Sequence, residues 1–143
     1  ISDGRALAAA LLMGAAGVQM GSRFLLTEEC PANPAAKEAI IKATDTDSVA
    51  TGYSRNLGVR CLANAFTAAY TAKEIAGAPN EELMAMGTGT NRRGILEGDT
   101  EQGTVMVGQS LNVLNDILPC KDVMERIIAE AKEAIERVKK IEF

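Results

Sequence analysis

Residues 1–24 read ISDGRALAAALLMGAAGVQMGSRF, and the order of signals in them decides the fold class. Ser2 and Asp3 offer side-chain oxygens to the open N–H groups of a helix start. Arg5 to Met13 is then a run of strong helix formers that stops at Gly14. Only Ala15, Ala16 and Gly17 separate that helix from the apolar run Val18 to Met20, which is too short for a helix and is expected to be a buried strand. Gly21-Ser22 follows at once. Helix, tight turn, strand and glycine-containing loop make the rhythm of a parallel α/β repeat. A strand ending in Met20-Gly21-Ser22 presents successive backbone N–H groups and a hydroxyl at its C-terminal end, where glycine lets an anion approach. The helix beginning at Ser2-Asp3-Gly4-Arg5 is expected to turn its positive end to the same face. Taken alone, a Gly-Ser after a strand is equally a plain turn.

Working outward, Asn33-Pro34 is an amide cap followed by proline at the first helical position, and predicts a helix to about Ala43. Residues 46–62 carry β-branched side chains broken by Gly52 and Gly58, so irregular or short extended structure is expected. Residues 63–76 read as a helix closed near Gly77, and 80–86 as a short helix. Five of the chain's 13 glycines fall in 88–110, which predicts a mostly loop-like stretch. Asp122 and Glu125 have capping-box spacing, and Met124, Ile127, Ile128, Ala131, Ile135, Val138 and Ile141 form a continuous apolar stripe on a last helix.

Composition bounds the function. With 143 residues, 47% apolar and 24% charged, the chain is ordinary for a globular domain. A net charge of −4 argues against nucleic acid or an anionic membrane as partner. No apolar run approaches the roughly 20 residues of a membrane span, and no leader pattern opens the chain, so a cytoplasmic setting is expected. Cys30, Cys61 and Cys120 are widely spaced and odd in number, which favours reduced thiols, with Cys61 in the core, over a disulfide or metal framework. There is no histidine, hence neither the commonest general base nor the commonest metal ligand. That absence, and a start at Ile1 in front of a helix cap, fit a fragment or a processed chain better than a complete enzyme.

The stretch 1–29 resembles the last two strand regions of the FMN-dependent enoyl-acyl-carrier-protein reductase II and nitronate monooxygenase family. Members of that family carry G-G-I-A-D-G-R after the seventh barrel strand and G-V-Q-M-G-T-R-F after the eighth. Ile1-Ser2-Asp3-Gly4-Arg5 matches the end of the first motif, and Gly17 to Phe24 matches the second, with Ser22 keeping the threonine hydroxyl. The two family glycines would precede Ile1. Asn33-Pro34-Ala35-Ala36-Lys37 resembles the helix after the flavin loop. Thr51-Gly52 with Gly58-Val59-Arg60 and Asn64 resembles the T-G-R, V-R-x-x-x-N segment, with Tyr53-Ser54-Arg55 altering its spacing. Gly98-Asp99, Gly103 and Val107-Gly108-Gln109 resemble G-D-x-x-x-G-x-x-x-x-G-Q. Other phosphate-binding barrels, inosine-monophosphate dehydrogenases among them, use a run similar to 1–22, so that segment specifies phosphate recognition better than reaction; Arg60, Asn64 and Gly108-Gln109 favour the reductase and nitronate group.

The resemblance implies an α/β fold: the C-terminal part of a (β/α)8 TIM barrel, with its last helix-strand units in residues 1–30, plus a helix-rich C-terminal extension in 31–143 packing on the barrel. It implies Ile1, Gln19, Met20, Gly21, Ser22 and Gln109 as cofactor-binding residues for FMN, no metal, and no catalytic residue in this chain, since the family's active-site histidine belongs to the N-terminal half. The implied function of the complete protein is NADH- or NADPH-dependent reduction of a 2-enoyl thioester on acyl carrier protein in fatty acid synthesis. Implied partners are the missing N-terminal half of the barrel and a second copy in a homodimer. The length beyond residue 30 favours the reductase. Nitronate monooxygenase is the alternative, and a noncatalytic fragment or binding module that needs a partner chain is the reading from a different class. Asp45 with Asp47, and Glu28 with Glu29, are expected to be solvated loop or cap residues rather than acid/base pairs. Arg92-Arg93 is expected to be a solvent-facing pair, with a cofactor phosphate or an acidic carrier protein as its functional reading.

Overall fold

The structure, a computed structural model, describes residues 1–142. Its helices are α1 (Gly4–Leu12), α2 (Ser22–Leu25), α3 (Pro34–Lys42), α4 (Ala65–Ile75), α5 (Asn80–Gly87), α6 (Thr90–Ile95) and α7 (Cys120–Val138). Its strands, β1 (Ser48–Thr51) and β2 (Val59–Leu62), pair antiparallel. The chain divides into two compact units, one of residues 1–30 with the chain from Val113 onward, the other of residues 31–112.

The first unit is built on α1 against α7. Asp3 caps α1 as its sequence predicts, Oδ1 accepting from Ala6 N at 2.8 Å. The helix closes on Gly14 at φ +94°, with Gly14 N and Ala15 N donating to Leu11 O and Ala10 O, both at 3.0 Å. Gly4 lies flat on α7: a Cβ there would sit 2.3 Å from Ile127 O and 2.5 Å from Ala131 N, so only glycine permits this approach. Gly4, Ala8 and Ala10 are buried on α1, as are Val123, Ile127 and Ala131 on α7. The apolar stripe expected on the last helix is therefore only partly covered within this chain, and Met124 and Ile128 remain exposed.

Two local expectations fail in this unit. Val18 to Met20 is not a strand, because a strand exists only by hydrogen-bonding to a neighbour and no described residue pairs with it. The unit's parallel pairing is a single bridge, Thr27 to Leu118, with Glu28 N donating to Leu118 O at 3.1 Å. The capping box at Asp122 and Glu125 is also absent, since α7 begins earlier, with Pro119 in the cap position. The acceptor for its first N–H comes from 91 residues away, where both Glu29 oxygens take the Cys120 N–H at 2.8 and 2.9 Å. Asp122 stays in the first turn, where its charge suits the helix dipole.

In the second unit Asn33 caps α3, accepting from Ala35 N at 2.9 Å, with Pro34 in the first helical turn. The 46–62 stretch is a hairpin in register Ser48 to Leu62 and Thr51 to Val59, closed through a 3₁₀ turn at Tyr53–Arg55. Residues 105–107 lie along β2, Leu62 N donating to Val105 O and Val107 N to Arg60 O. Asn64 and Thr67 form a reciprocal capping box at the start of α4. Phe66, Tyr70 and Leu83 pack together with Ala78 and Met86 around them. The predicted loop at 88–110 contains α6, because its glycines serve close packing: a Cβ on Gly94 would meet Thr104 O at 2.4 Å, and one on Gly103 would meet Gly94 N at 2.3 Å.

Candidate functional site

α2 is a single turn that begins immediately after Gly21. Gly21 has φ −99° and ψ −72°, which any L residue adopts, and a Cβ on it would meet nothing within 4 Å. Neither backbone strain nor crowding by the described residues requires glycine here; what glycine provides is room for another group to reach the backbone. Gln19 and Gly21 are exposed, Met20 is partly exposed, Ser22 is buried, and Ile1 is half exposed. These five lie in the first unit, whereas Gln109 is an exposed residue of the second.

The expected contribution of the α1 terminus is corrected. Its first donors are engaged by carboxylates of the chain itself: Asp3 takes Ala6 N, and Glu130 Oε2 takes Gly4 N at 2.8 Å. Partial burial works against the Asp3 charge, but the Ala6 N–H and the Arg5 guanidinium outweigh it and hold the carboxyl below its usual range. An anion would therefore meet negative charge at that helix start.

The Gly21-Ser22 loop is different. α2 has no acidic residue in its first turn, and the next residue is Arg23, only 1% exposed. Its guanidinium donates through Nη1 to Asp116 Oδ1 at 2.8 Å and through Nη2 to Leu26 O at 2.9 Å and Asp116 O at 2.7 Å. Asp116 is shared with Arg126, whose Nη1 and Nη2 reach its two oxygens at 2.6 and 3.1 Å. Hydrogen bonds from Arg126, and behind them from Arg23, hold the Asp116 carboxyl below the usual carboxylate range. Two guanidiniums face one carboxylate, and the array ties this turn to α7. The loop motif contains Arg23, but nothing local to it announces Asp116, 93 residues away, or Arg126 and Glu130 on α7.

Other residues singled out in the sequence have structural work. Asn64 donates through Nδ2 to Thr100 O at 2.7 Å and Gly103 O at 2.8 Å, tying the α4 start to the 100–103 turn. Arg60 donates to Ser48 Oγ at 3.1 Å across the hairpin. Asp99 accepts from Gln102 N and pairs with Arg93, while Arg92 pairs with Glu97, so both arginines are engaged at the surface. Asp47 accepts from Thr44 N and Oγ1, a turn cap, and Glu29 caps α7. Cys61 is fully buried, which pushes its thiol up to about 11. No group of three His, Cys, Asp or Glu side chains among the described residues converges as a metal site. The second unit also holds a cavity of about 270 Å³, lined by Arg55, Phe66, Tyr70, Met84, Asn91 and Met106 among others, and including none of the residues predicted for the site.

Comparison with known proteins gives the class. Residues 1–130 match the nitronate monooxygenase family model. FabK from Thermotoga maritima superposes with a TM-score of 0.92 at 38% identity, covering 97% of this chain and 44% of that one. Nitroalkane oxidase from Streptomyces ansochromogenes, at 24% identity and a TM-score of 0.76, shares the fold. Among curated relatives, the (3aS,4S,5R,7aS)-5-hydroxy-7a-methyl-1-oxo-octahydro-1H-indene-4-carboxyl-CoA dehydrogenase of Rhodococcus jostii is 31% identical over 172 aligned positions, covering 94% of this chain and 48% of that protein. A probable nitronate monooxygenase of Staphylococcus haemolyticus is 39% identical over 66 residues, 46% of this chain and 18% of that one. The chain belongs to the nitronate monooxygenase family, whose members are oxidoreductases. It spans about half the length of the curated relatives it matches first.

Proposed function

We propose that this chain is the C-terminal portion of a flavin-dependent (β/α)8 barrel oxidoreductase, and that the complete protein is an NADH- or NADPH-dependent reductase of 2-enoyl thioesters carried on acyl carrier protein. The observation that carries it is the Gly21-Ser22 loop. Its glycine is required by nothing among the described residues, it is backed by the Arg23–Asp116–Arg126 array, and it sits in a segment that superposes on FabK. On this reading residues 1–30 end the barrel and 31–143 form the region that packs on it. Backbone N–H groups at Gln19, Met20 and Gly21 and the Ser22 hydroxyl hold the FMN phosphate, while Ile1 and Gln109 contact the same cofactor. Bound FMN supplies the hydride chemistry, and the residues of this chain bind and orient it. The general acid or base comes from the N-terminal half of the barrel, the chain's implied partner in a cytoplasmic homodimer. The Rhodococcus relative is named for a coenzyme A thioester, which supports a thioester substrate class.

Nitronate monooxygenase is the second reading, favoured by the family model and the Staphylococcus relatives. The test is to prepare the chain with an N-terminal half-barrel, look for bound yellow flavin, and measure nicotinamide oxidation with a 2-enoyl thioester against oxygen uptake with a nitronate. Flavin and thioester-dependent nicotinamide oxidation are expected. Oxygen-dependent nitronate turnover without thioester turnover selects the second reading, and absence of flavin refutes both.

A further inference from the structure

α2 is only four residues long, held internally by Phe24 N and Leu25 N on Gly21 O at 2.9 and 3.3 Å. One turn does not hold its own shape in water, because helix nucleation is unfavourable and propagation never begins. The orientation of the Gly21-Ser22 backbone must therefore be imposed from outside it. Arg23 gives this turn a long-range polar anchor, which ends on Asp116 in irregular chain between Val113 and Cys120. Asp116 is fixed in turn by Arg126, whose forked contact spans both carboxylate oxygens from the 19-residue α7. One turn further along the same helix face, Glu130 lies 4.0 Å from Arg126 and accepts the Gly4 N–H at the start of α1.

We infer that Arg126 is a positioning residue of the flavin-phosphate loop, acting through Asp116 and Arg23 on the Gly21-Ser22 backbone, and that with Glu130 it makes α7 the frame that sets both motif segments, 1–5 and 17–24. The inference rests on the flavin reading of that loop. In this scheme the rigidity of α7 is transmitted through two charged contacts, Arg126 with Asp116 and Asp116 with Arg23.

The test measures FMN dissociation constants by flavin fluorescence quenching in the protein completed by its N-terminal half-barrel, alongside melting temperature and far-ultraviolet circular dichroism. Arg126→Ala is expected to weaken FMN binding roughly tenfold or more at a temperature where the variant remains folded, as loss of a group that orients a binding element does. Arg126→Lys should fall between, because a single ammonium cannot span both carboxylate oxygens, and Arg137→Ala, exposed at the far end of α7, should bind FMN as the parent does. An Arg126→Ala protein that melts lower yet binds FMN within about twofold of the parent overturns the inference, since Arg126 would then only brace the fold. If Arg126→Ala does not fold, Arg126→Lys decides, and parental FMN affinity there overturns it equally. A parent protein that binds no FMN refutes the flavin reading itself and the inference with it, an outcome distinct from unaltered affinity in the variants.

Discussion

Removing the Asp116 carboxylate isolates the most deeply buried charge in the chain, and the cost follows from what remains around it. In Asp116→Ala, the Arg23 guanidinium keeps Leu26 O and the main-chain oxygen of residue 116 but loses Oδ1, while staying 1% exposed. Stripping one partner from a buried ion pair costs several kcal/mol when nothing else compensates. Two carbonyls do compensate here, and the Asp116 side chain is itself 37% exposed, so about 2–3 kcal/mol is expected. Arg126 adds little to this, being 38% exposed and free to take up water. Asp116→Asn retains an oxygen for Nη1 and should cost about 1 kcal/mol. Urea unfolding reads both as a lower midpoint at unchanged slope. If Asp116→Ala and Asp116→Asn lie within about 0.5 kcal/mol of the parent and of each other, the carbonyls alone hold Arg23 and the array has no energetic weight. The pH dependence has a fixed sign. The folded Asp116 carboxyl titrates below its ordinary value of 3.8, so its stabilisation is complete above that value and is lost as pH falls below it. The parent should therefore lose more stability than Asp116→Asn in that acid range.

Gly4→Ala forces a methyl against Ile127 O and should separate α1 from α7, lowering stability by about 1–3 kcal/mol in the same assay; a neutral result would mean the helices slide apart without cost. Asn64→Asp keeps the cap on Thr67 N but sets an oxygen against Thr100 O and Gly103 O, so it should destabilise at least as much as Asn64→Ala, the reverse of what a capping role alone predicts. Cys61, with its thiol near 11 and no exposure, should resist alkylation at pH 8 in the native protein and react only after unfolding, read by mass spectrometry against Cys30 and Cys120.

What the sequence disclosed is what short range determines. The α1 and α3 starts were legible because Asp3 and Asn33 act on N–H groups two or three residues on. Val18 to Met20 carries the pattern of a strand but not its neighbour, and pairing is a property of two segments. The α7 start was misplaced because its acceptor, Glu29, is remote, and α6 was hidden because glycines that read as breakers allow Gly94 and Gly103 to touch. At the candidate site, Arg23 stands in the motif itself, whereas the array behind it could not be read, since Asp116 and Arg126 belong to no local pattern.

The contacts of Thr27, Glu28 and Glu29 with Leu118 and Cys120 form a neck at which the chain leaves the first unit and returns to it. Everything between is, in polymer terms, one closed loop, and the entropy of closing a loop rises only logarithmically with its length, by about 0.6 kcal/mol per doubling. A neck of this kind lets the intervening segment be lengthened or shortened at small cost to the helices outside it. One fixed point within it is Asp116, which lies just inside the neck and must keep its place against Arg23 for the loop at Gly21 to keep its support.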